Sequence, residues 1–213
     1  MTESACPHGQ CDGSGFVYNE QTYSAAACKC EIERRTRRRL CQALPPGRYR
    51  EVARDRNPLV QLSPAILGLL DAWLGDLPGH LARGAGLWLE GRGRHGKRSA
   101  AALLVKEAVQ SGRSAEFWDA RSMIARAKNF EQDPQLLLDR LIAVDLLALV
   151  DLGFDNPTGW VREQLHILMD QRYVKLRSVI VTTEHSAAEL EAQLGPAIVD
   201  RIGRICGDPL LVA

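Results

Sequence analysis

The sequence predicts an α/β fold, a parallel sheet with helices on both faces, preceded by a small cysteine-rich metal-binding module. Three observations carry that expectation. A glycine-rich loop, Gly91-Arg92-Gly93-Arg94-His95-Gly96-Lys97-Arg98, sits between an apolar segment and the run Ser99-Ala100-Ala101-Ala102-Leu103-Leu104. Strand-like and helix-like segments alternate from Gly86 onward, and four of the six cysteines, Cys6, Cys11, Cys28 and Cys30, fall within the first thirty residues. At 213 residues, 46% hydrophobic and 25% charged, the chain is an ordinary globular one with room for one substantial core and a small appended module.

Residues 6–30 contain glycine and few large aliphatic side chains, so they build no core of their own and need a staple. Residues 31–44 read as a basic helix that stops at Pro45-Pro46-Gly47. The boundary between a module at 1–44 and a main domain at 45–213 is placed there. Residues 63–74 read as a helix with Ser63 as N-cap and Pro64 in the first helical position. The main domain then runs strand 87–90, helix 97–110, strand 115–118, helix 121–127, strand 146–152, helix 159–173, strand 178–183 and helix 187–194. The run Leu146-Leu147-Ala148-Leu149-Val150 is continuously apolar, as expected of a central parallel strand buried on both faces. No internal repeat or low-complexity linker interrupts the order.

The glycine-rich loop has the composition of a phosphate cradle. Glycines let successive backbone N–H groups converge on phosphate oxygens at a helix N-terminus, and Lys97 adds a point charge. The binding residues on this reading are Gly91, Arg92, Gly93, Arg94, His95, Gly96, Lys97, Arg98 and Ser99. Arg98 stands where a Ser or Thr hydroxyl would meet Mg²⁺, so phosphate binding and hydrolysis are separate questions. A ligand-free surface turn is the alternative. Strand 146–150 leads into Asp151, the carboxylate placed to act on an attacking water, but Val150 takes the place of a first, metal-binding acid. Asp155 is a substitute carboxylate, and Asp151 ending a buried strand is the plainer alternative. Val181-Thr182-Thr183-Glu184 ends the next strand at the ligand-facing edge, where a Glu184–Arg98 pair is expected, with a solvated Glu184 as the alternative.

Cys6, Cys11, Cys28 and Cys30 supply four thiolates to one Zn²⁺, with His8 able to replace Cys6; free thiols in a tail are the alternative. Cys41 and Cys206 are isolated and read as structural. Arg34-Arg35-Thr36-Arg37-Arg38-Arg39 is the densest charge cluster in a chain of net charge +1, and it suits phosphodiester, an acidic protein partner or a solvated face alike. Residues 1–9 lack the pattern of a secretory signal, and no apolar run reaches about 18 residues, so no membrane contact and a cytoplasmic location are expected.

Taken in order, these motifs resemble the bacterial replicative helicase loaders of the AAA+ superfamily, the DnaC/DnaI type, with the IstB transposition helpers as relatives. The likeness runs through Cys6 to Val17 with Cys28-Lys29-Cys30, through Leu44-Pro45-Pro46-Gly47-Arg48-Tyr49-Arg50 and through the phosphate loop. It continues through Asp145-Leu146-Leu147-Ala148-Leu149-Val150-Asp151-Leu152-Gly153, Trp160-Val161-Arg162-Glu163-Gln164-Leu165, Gln171-Arg172-Tyr173, Ile180-Val181-Thr182-Thr183 and Ile198-Val199-Asp200-Arg201-Ile202. The resemblance implies an AAA+ P-loop sheet, ATP as ligand with Mg²⁺ in question, a zinc module that contacts the replicative DNA helicase, and an ATPase domain that assembles side by side as a homo-oligomer and touches single-stranded DNA. Base recognition in this fold would involve residues 49–61. The resemblance also implies that Lys97 is the phosphate lysine, Asp151 the second acid of a pair and Arg201 the arginine finger for a neighbour's nucleotide. Arg98, Val150 and Glu184 depart from the pattern, Glu184 standing where a polar residue, usually Asn, senses the γ-phosphate. The function implied is a loader that binds ATP and helps load or remodel the helicase, with impaired hydrolysis. A competent ATPase using Asp155 or Asp151, a non-catalytic adaptor or antagonist, and an IstB-like transposition helper are the alternatives. IstB helpers generally lack the cysteine module, which favours the loader.

Overall fold

The computed structural model describes residues 6–55, 59, 62–93, 96–128 and 134–212. The chain divides into two compact units, Met1–Gln42 and Ala43–Ala213.

In the first unit, strands β1 (Phe16–Asn19) and β2 (Ser24–Ala27) form an antiparallel hairpin, and helix α1 (Lys29–Ala43) follows. The hairpin turns on an Asx turn, where Asn19 Oδ1 accepts the N–H of Gln21 at 2.9 Å. Every residue of both strands is exposed, Tyr18 to 58%, so the hairpin has no apolar face to bury. A two-stranded ribbon of this size is not stable on its own strand pairing. Its base is held where the Cys28 N–H donates to Gly15 O at 2.8 Å, beside the cysteines.

The second unit begins with helices α2 (Pro64–Gly75) and α3 (Leu77–Arg83). Ser63 Oγ accepts the Ile66 N–H at 3.4 Å, with Pro64 in the first turn. Strand β3 (Leu87–Glu90) and helix α4 (Lys97–Gln110) flank the glycine loop, and β4 (Ala115–Asp119), α5 (Ala120–Lys128) and α6 (Pro134–Ala143) follow. Next come β5 (Leu146–Val150), α7 (Gly159–Val174), β6 (Ser178–Thr183), α8 (Ala187–Leu194), α9 (Pro196–Cys206) and β7 (Leu210–Leu211). The sheet is parallel throughout in the order β4-β5-β6-β3-β7. Strand β5 is buried at all five positions, as its apolar run requires.

The pleat divides the sheet into two faces. Trp88, Leu147, Leu149, Val179 and Val181 pack with α5 to α9 in one apolar core. The alternate residues, among them Ala148, Val150 and Ile180, face α4, which crosses β4, β5 and β6 and is buried along most of its length. Strand register then decides which side chains meet at the carboxyl edge. Asp119 pairs with Val150, and Leu149 with Val181, so Asp119, Val150 and Thr182 issue on the α4 side.

The strand expected at 146–152 ends at Val150, because Asp151 turns into the left-handed region at φ +52° and the Leu152 N–H bonds to Thr182 O at 2.8 Å. The hairpin, α3, α6, α9 and β7 have no counterpart in the sequence reading. Helix α9 had a usable signal, since Ile198, Ile202 and Ile205 recur at helical spacing behind Pro196 and are its buried residues. Strand β7, at two residues, had none.

Candidate nucleotide site at the carboxyl edge of the sheet

The glycine loop leaves β3 at Gly91, whose φ is +154°. A Cβ there would lie 2.0 Å from Val212 O, so the backbone crosses β7 at a distance that admits only glycine. Gly93 and Gly96 take φ +89° and +84°, and Gly96 caps α4 in the left-handed conformation. The loop therefore curls as the sequence requires and delivers the N-terminus of α4 to the sheet edge. Lys97 folds back under the loop and donates to Gly93 O at 2.9 Å and to Gly91 O. Burial pushes its ammonium below the ordinary lysine range, against the attraction of Glu184 and Asp151. Ser99 is buried in the first turn of α4, and Arg92 reaches Glu189 at 3.4 Å. Arg94 and His95 lie outside the described residues.

Arg98 does not meet Glu184 in an ion pair. Its Nη2 donates to Oδ2 of Asp151 and approaches Oδ2 of Asp119 at 3.3 Å. This corrects the expected Glu184–Arg98 pair. Asp119 ends β4 in register with Val150, so its carboxylate starts on the same face as α4 and lies nearer to the second residue of that helix. The bond to Asp151 holds the guanidinium firmly charged against the cost of its burial, with help from the Tyr49 hydroxyl. Tyr49 itself packs on Phe117, ring centroids 5.1 Å apart. Asp151 is fixed from behind by its N–H bond to Thr182 Oγ1 at 3.0 Å.

A cavity of about 250 Å³ opens at this point, lined by Arg98, Asp119, Arg121, Asp151, Leu152, Gly153, Glu184 and His185. Gly153 passes so close to His185 that a Cβ would lie 2.3 Å from the imidazole. The structure thus brings Lys97, Arg98, Asp151 and Glu184 together. Thr182 and Tyr49, from stretches the sequence already placed near a ligand, join them, and the structure adds Asp119, Arg121 and His185, which the sequence did not single out. Asp119 was findable as the last residue of a strand at the ligand-bearing edge of a parallel sheet. Asp155 sits outside the cavity lining and meets Arg121 at 3.5 Å. Gln61, at the end of the stretch 49–61 expected to bear on base recognition, lies outside the described residues. Arg201, on α9, is also outside the lining. It bonds Asp170 at 2.9 Å and Asp200 at 3.0 Å and stacks over the Tyr173 ring at 4.9 Å.

A divalent cation, which phosphate chemistry of this kind ordinarily employs, does not fit the site as it stands, because Arg98 Nη2 holds the point where the Asp119 and Asp151 carboxylates converge. In the pattern the sequence resembles, position 98 carries a hydroxyl and position 150 an acid; here they are a guanidinium and Val150, which is fully buried in the sheet.

The first unit holds a different set of donors. The sulfurs of Cys6, Cys11, Cys28 and Cys30 all lie within 4.8 Å of one another, with Cys6–Cys28 and Cys11–Cys30 at 3.6 Å. Tetrahedral sulfurs about 2.3 Å from one zinc ion would be about 3.8 Å apart, so the four thiols fit such an ion. His8 turns instead to Glu33, at 2.8 Å, which removes it as a substitute for Cys6. The thiols are unequal. Desolvation opposes ionisation of Cys6, but the N–H groups of Cys11, Gln10 and His8 bring it down to about 6; desolvation and the other three sulfurs push Cys30 up to about 12. Four thiolates at this spacing need a cation between them. Cys206, partly buried at the end of α9, donates to Val179 O at 3.3 Å, and desolvation of its thiol pushes its pKa upward. Cys41 is exposed on α1.

Comparison with known proteins agrees with this geometry. The family model described as IstB-like ATP binding protein matches residues 80–207, more than half of the chain. Among solved structures, the DnaC helicase loader is similar with a TM-score of 0.64 at 23% identity, over 82% of this chain and 96% of that one. DnaI is similar with a TM-score of 0.61 at 18% identity, over 83% and 94%. The replication initiator DnaA bound to AMPPCP and single-stranded DNA is similar with a TM-score of 0.58 at 15% identity, over 70% and 46%. A search among curated proteins returns no match. These likenesses establish an α/β fold with a five-stranded parallel sheet of the AAA+ P-loop kind. Among the described residues no helix is long and apolar enough to cross a membrane.

Proposed function

Because the chain belongs to the IstB-like ATP-binding protein family, we propose that its main domain binds ATP at the glycine loop and acts as a helicase-loader-type AAA+ protein in DNA replication, with hydrolysis impaired. The observation that carries the reading is the Arg98–Asp151 bond. Asp151 is the carboxylate placed to take a proton from an attacking water, and a general base must present a lone pair to that water. Here one oxygen of Asp151 is held by the guanidinium and the other faces Thr182 Oγ1 at 3.4 Å. Nucleotide therefore acts by occupancy. A ligand that prefers one assembly state shifts its population without any bond being cleaved.

On this reading the loop N–H groups, the α4 N-terminus and Lys97 hold the phosphates, Lys97 exchanging its two carbonyl partners for phosphate oxygens. Arg201 would reach a neighbour's nucleotide by leaving Asp170 and Asp200 when subunits assemble side by side. The four cysteines hold Zn²⁺, which supplies the fold of the first unit, and that unit is the contact for the replicative helicase. Arg37 and Arg38, exposed on α1, suit the phosphodiester of single-stranded DNA. Supporting the loader are the cysteine cluster and the coverage of almost the whole DnaC chain. The family-model match favours a second reading, an ATP-binding helper of transposition.

The experiment is loading of the host's replicative helicase onto single-stranded DNA circles in the presence of ATP. Wild-type protein is expected to raise the amount loaded, Lys97→Ala to lose the nucleotide effect, and a protein lacking residues 1–42 to lose helicase capture. Absence of any helicase contact, with capture of a transposase complex in its place, would move the weight to the transposition helper.

A further inference from the structure

We propose that Arg98 is the resident cation of this site, so that nucleotide binds there without a divalent metal. The inference rests on the nucleotide-binding reading above and goes beyond it by assigning the charge that replaces Mg²⁺. A single atom, Arg98 Nη2, lies within hydrogen-bond reach of one carboxylate oxygen from each of two strands, Asp151 after β5 and Asp119 at the end of β4. Two carboxylates converging on one point is the arrangement a divalent ion would demand, and a nitrogen occupies that point.

The remaining carboxylate oxygens are also engaged by the protein. Asp119 Oδ1 accepts the Ser122 N–H at 2.9 Å, and Asp151 Oδ1 faces the Thr182 hydroxyl at 3.4 Å. A metal entering between the two acids would have to displace the guanidinium from both Oδ2 atoms or stand beside it, where like charges repel. The guanidinium is tethered through its own side chain, which gives it a high effective concentration that a free ion at millimolar levels must outcompete. Val150 closes the other route, because the aliphatic side chain fully buried next to Asp119 provides no oxygen. The departures at 98 and 150 act in the same direction: the hydroxyl and the first acid of the resembled pattern are absent, and an arginine bridging Asp119 and Asp151 supplies the positive charge at that point.

The test is calorimetric titration of the full-length protein with ADP, in Mg²⁺ and in EDTA at equal ionic strength, for wild type and Arg98→Ser. Wild type is expected to show dissociation constants within about threefold of each other in the two buffers. Arg98→Ser frees both carboxylates and adds a hydroxyl, so it is expected to bind ADP at least about tenfold more tightly with Mg²⁺ than without. It should also bind Mn²⁺ alone, seen as loss of the free-ion electron paramagnetic signal, where wild type does not. Wild-type binding that collapses in EDTA would overturn the inference and leave the nucleotide reading standing. Metal-independent wild-type binding with no metal dependence in a folded Arg98→Ser would overturn the role given to the bridge. No ADP binding in either buffer would overturn the nucleotide reading and this inference with it. If Arg98→Ser does not fold, the two wild-type titrations decide.

Discussion

Arg172 has no exposed surface at all, yet its partners are backbone carbonyls and none is a carboxylate. Its Nη1 donates to Leu141 O and to Val144 O at 3.1 Å, capping the C-terminal turn of α6, and Nη2 donates to Ser178 O at 2.6 Å at the start of β6 and reaches Asp145 O at 3.5 Å, a carbonyl that also accepts the Ser178 N–H. Burial pushes the guanidinium below the ordinary arginine range, and Arg177 nearby adds to that. Replacing a buried ion pair by apolar groups is often tolerated because both partners can be replaced together. Here the acceptors belong to the main chain, so Arg172→Met leaves three buried carbonyls unpaired at about 1–3 kcal/mol each. Relief from burying the charge returns several kcal/mol, and the Nε, which has no hydrogen-bond partner among the described residues, was already a cost. Taking about 2–3 kcal/mol for each fully buried carbonyl and about 3–4 returned from the charge, the net expected loss is about 3–5 kcal/mol. At ~2–4 °C per kcal/mol for a domain of this size, the thermal midpoint should fall by about 6–20 °C. Near-UV circular dichroism of the main domain on heating measures it, and a loss below about 1 kcal/mol would refute the reasoning, since it would mean the carbonyls find other donors at little cost.

Three further outcomes follow from the geometry. Purified protein should carry one zinc ion per chain by elemental analysis, and chelation or Cys6→Ser should lose it together with the hairpin's far-UV signal; a folded first unit with no metal would contradict the assignment. Gly91→Ala should cost about 1–3 kcal/mol and weaken nucleotide binding, because its Cβ would fall 2.0 Å from Val212 O; unchanged melting and affinity would show that the crossing relaxes freely. His80, stacked on Trp73 with ring centroids 5.2 Å apart, has its pKa lowered from 6.5 by burial and then by Arg83, against Asp76. The folded state then binds fewer protons than the unfolded one, so its contribution is complete above pH 6.5 and is lost as pH falls through the folded value. His80→Gln should flatten the fall in melting temperature between pH 7.5 and 5, and an unchanged slope would assign that dependence to other groups.

Four of the five strands of the sheet were legible in the sequence as short segments between turns and helical patterns, and β3 and β6 have the expected bounds. Helices α4 and α8 were legible for the same reason, with Gly96 and Ser186 marking their starts. The hairpin was not, because Phe16–Asn19 and Ser24–Ala27 show no alternation of buried and exposed positions; sulfur geometry organises them, and periodicity does not record it. In the site, the loop glycines, Lys97 and Asp151 announce themselves by spacing. The partner of Arg98 does not. Glu184 is the nearer acid in the phosphate-site pattern, but the choice of Asp119 depends on which strand lies beside β5 and in what register, and neither is local information. The basic run on α1 is likewise shaped by its neighbours, since Arg34 and Arg35 are both taken by the buried Glu31.

The measurement closest to the central claim is ATP binding and ATP turnover in one sample, with labelled nucleotide and single-stranded DNA present. Saturable binding that Lys97→Ala abolishes, with turnover no higher than that of the Lys97→Ala control, is the expected result. Turnover that rises well above that control on adding DNA would contradict the account, because Asp151 would then be free to act as a base despite its bond to Arg98.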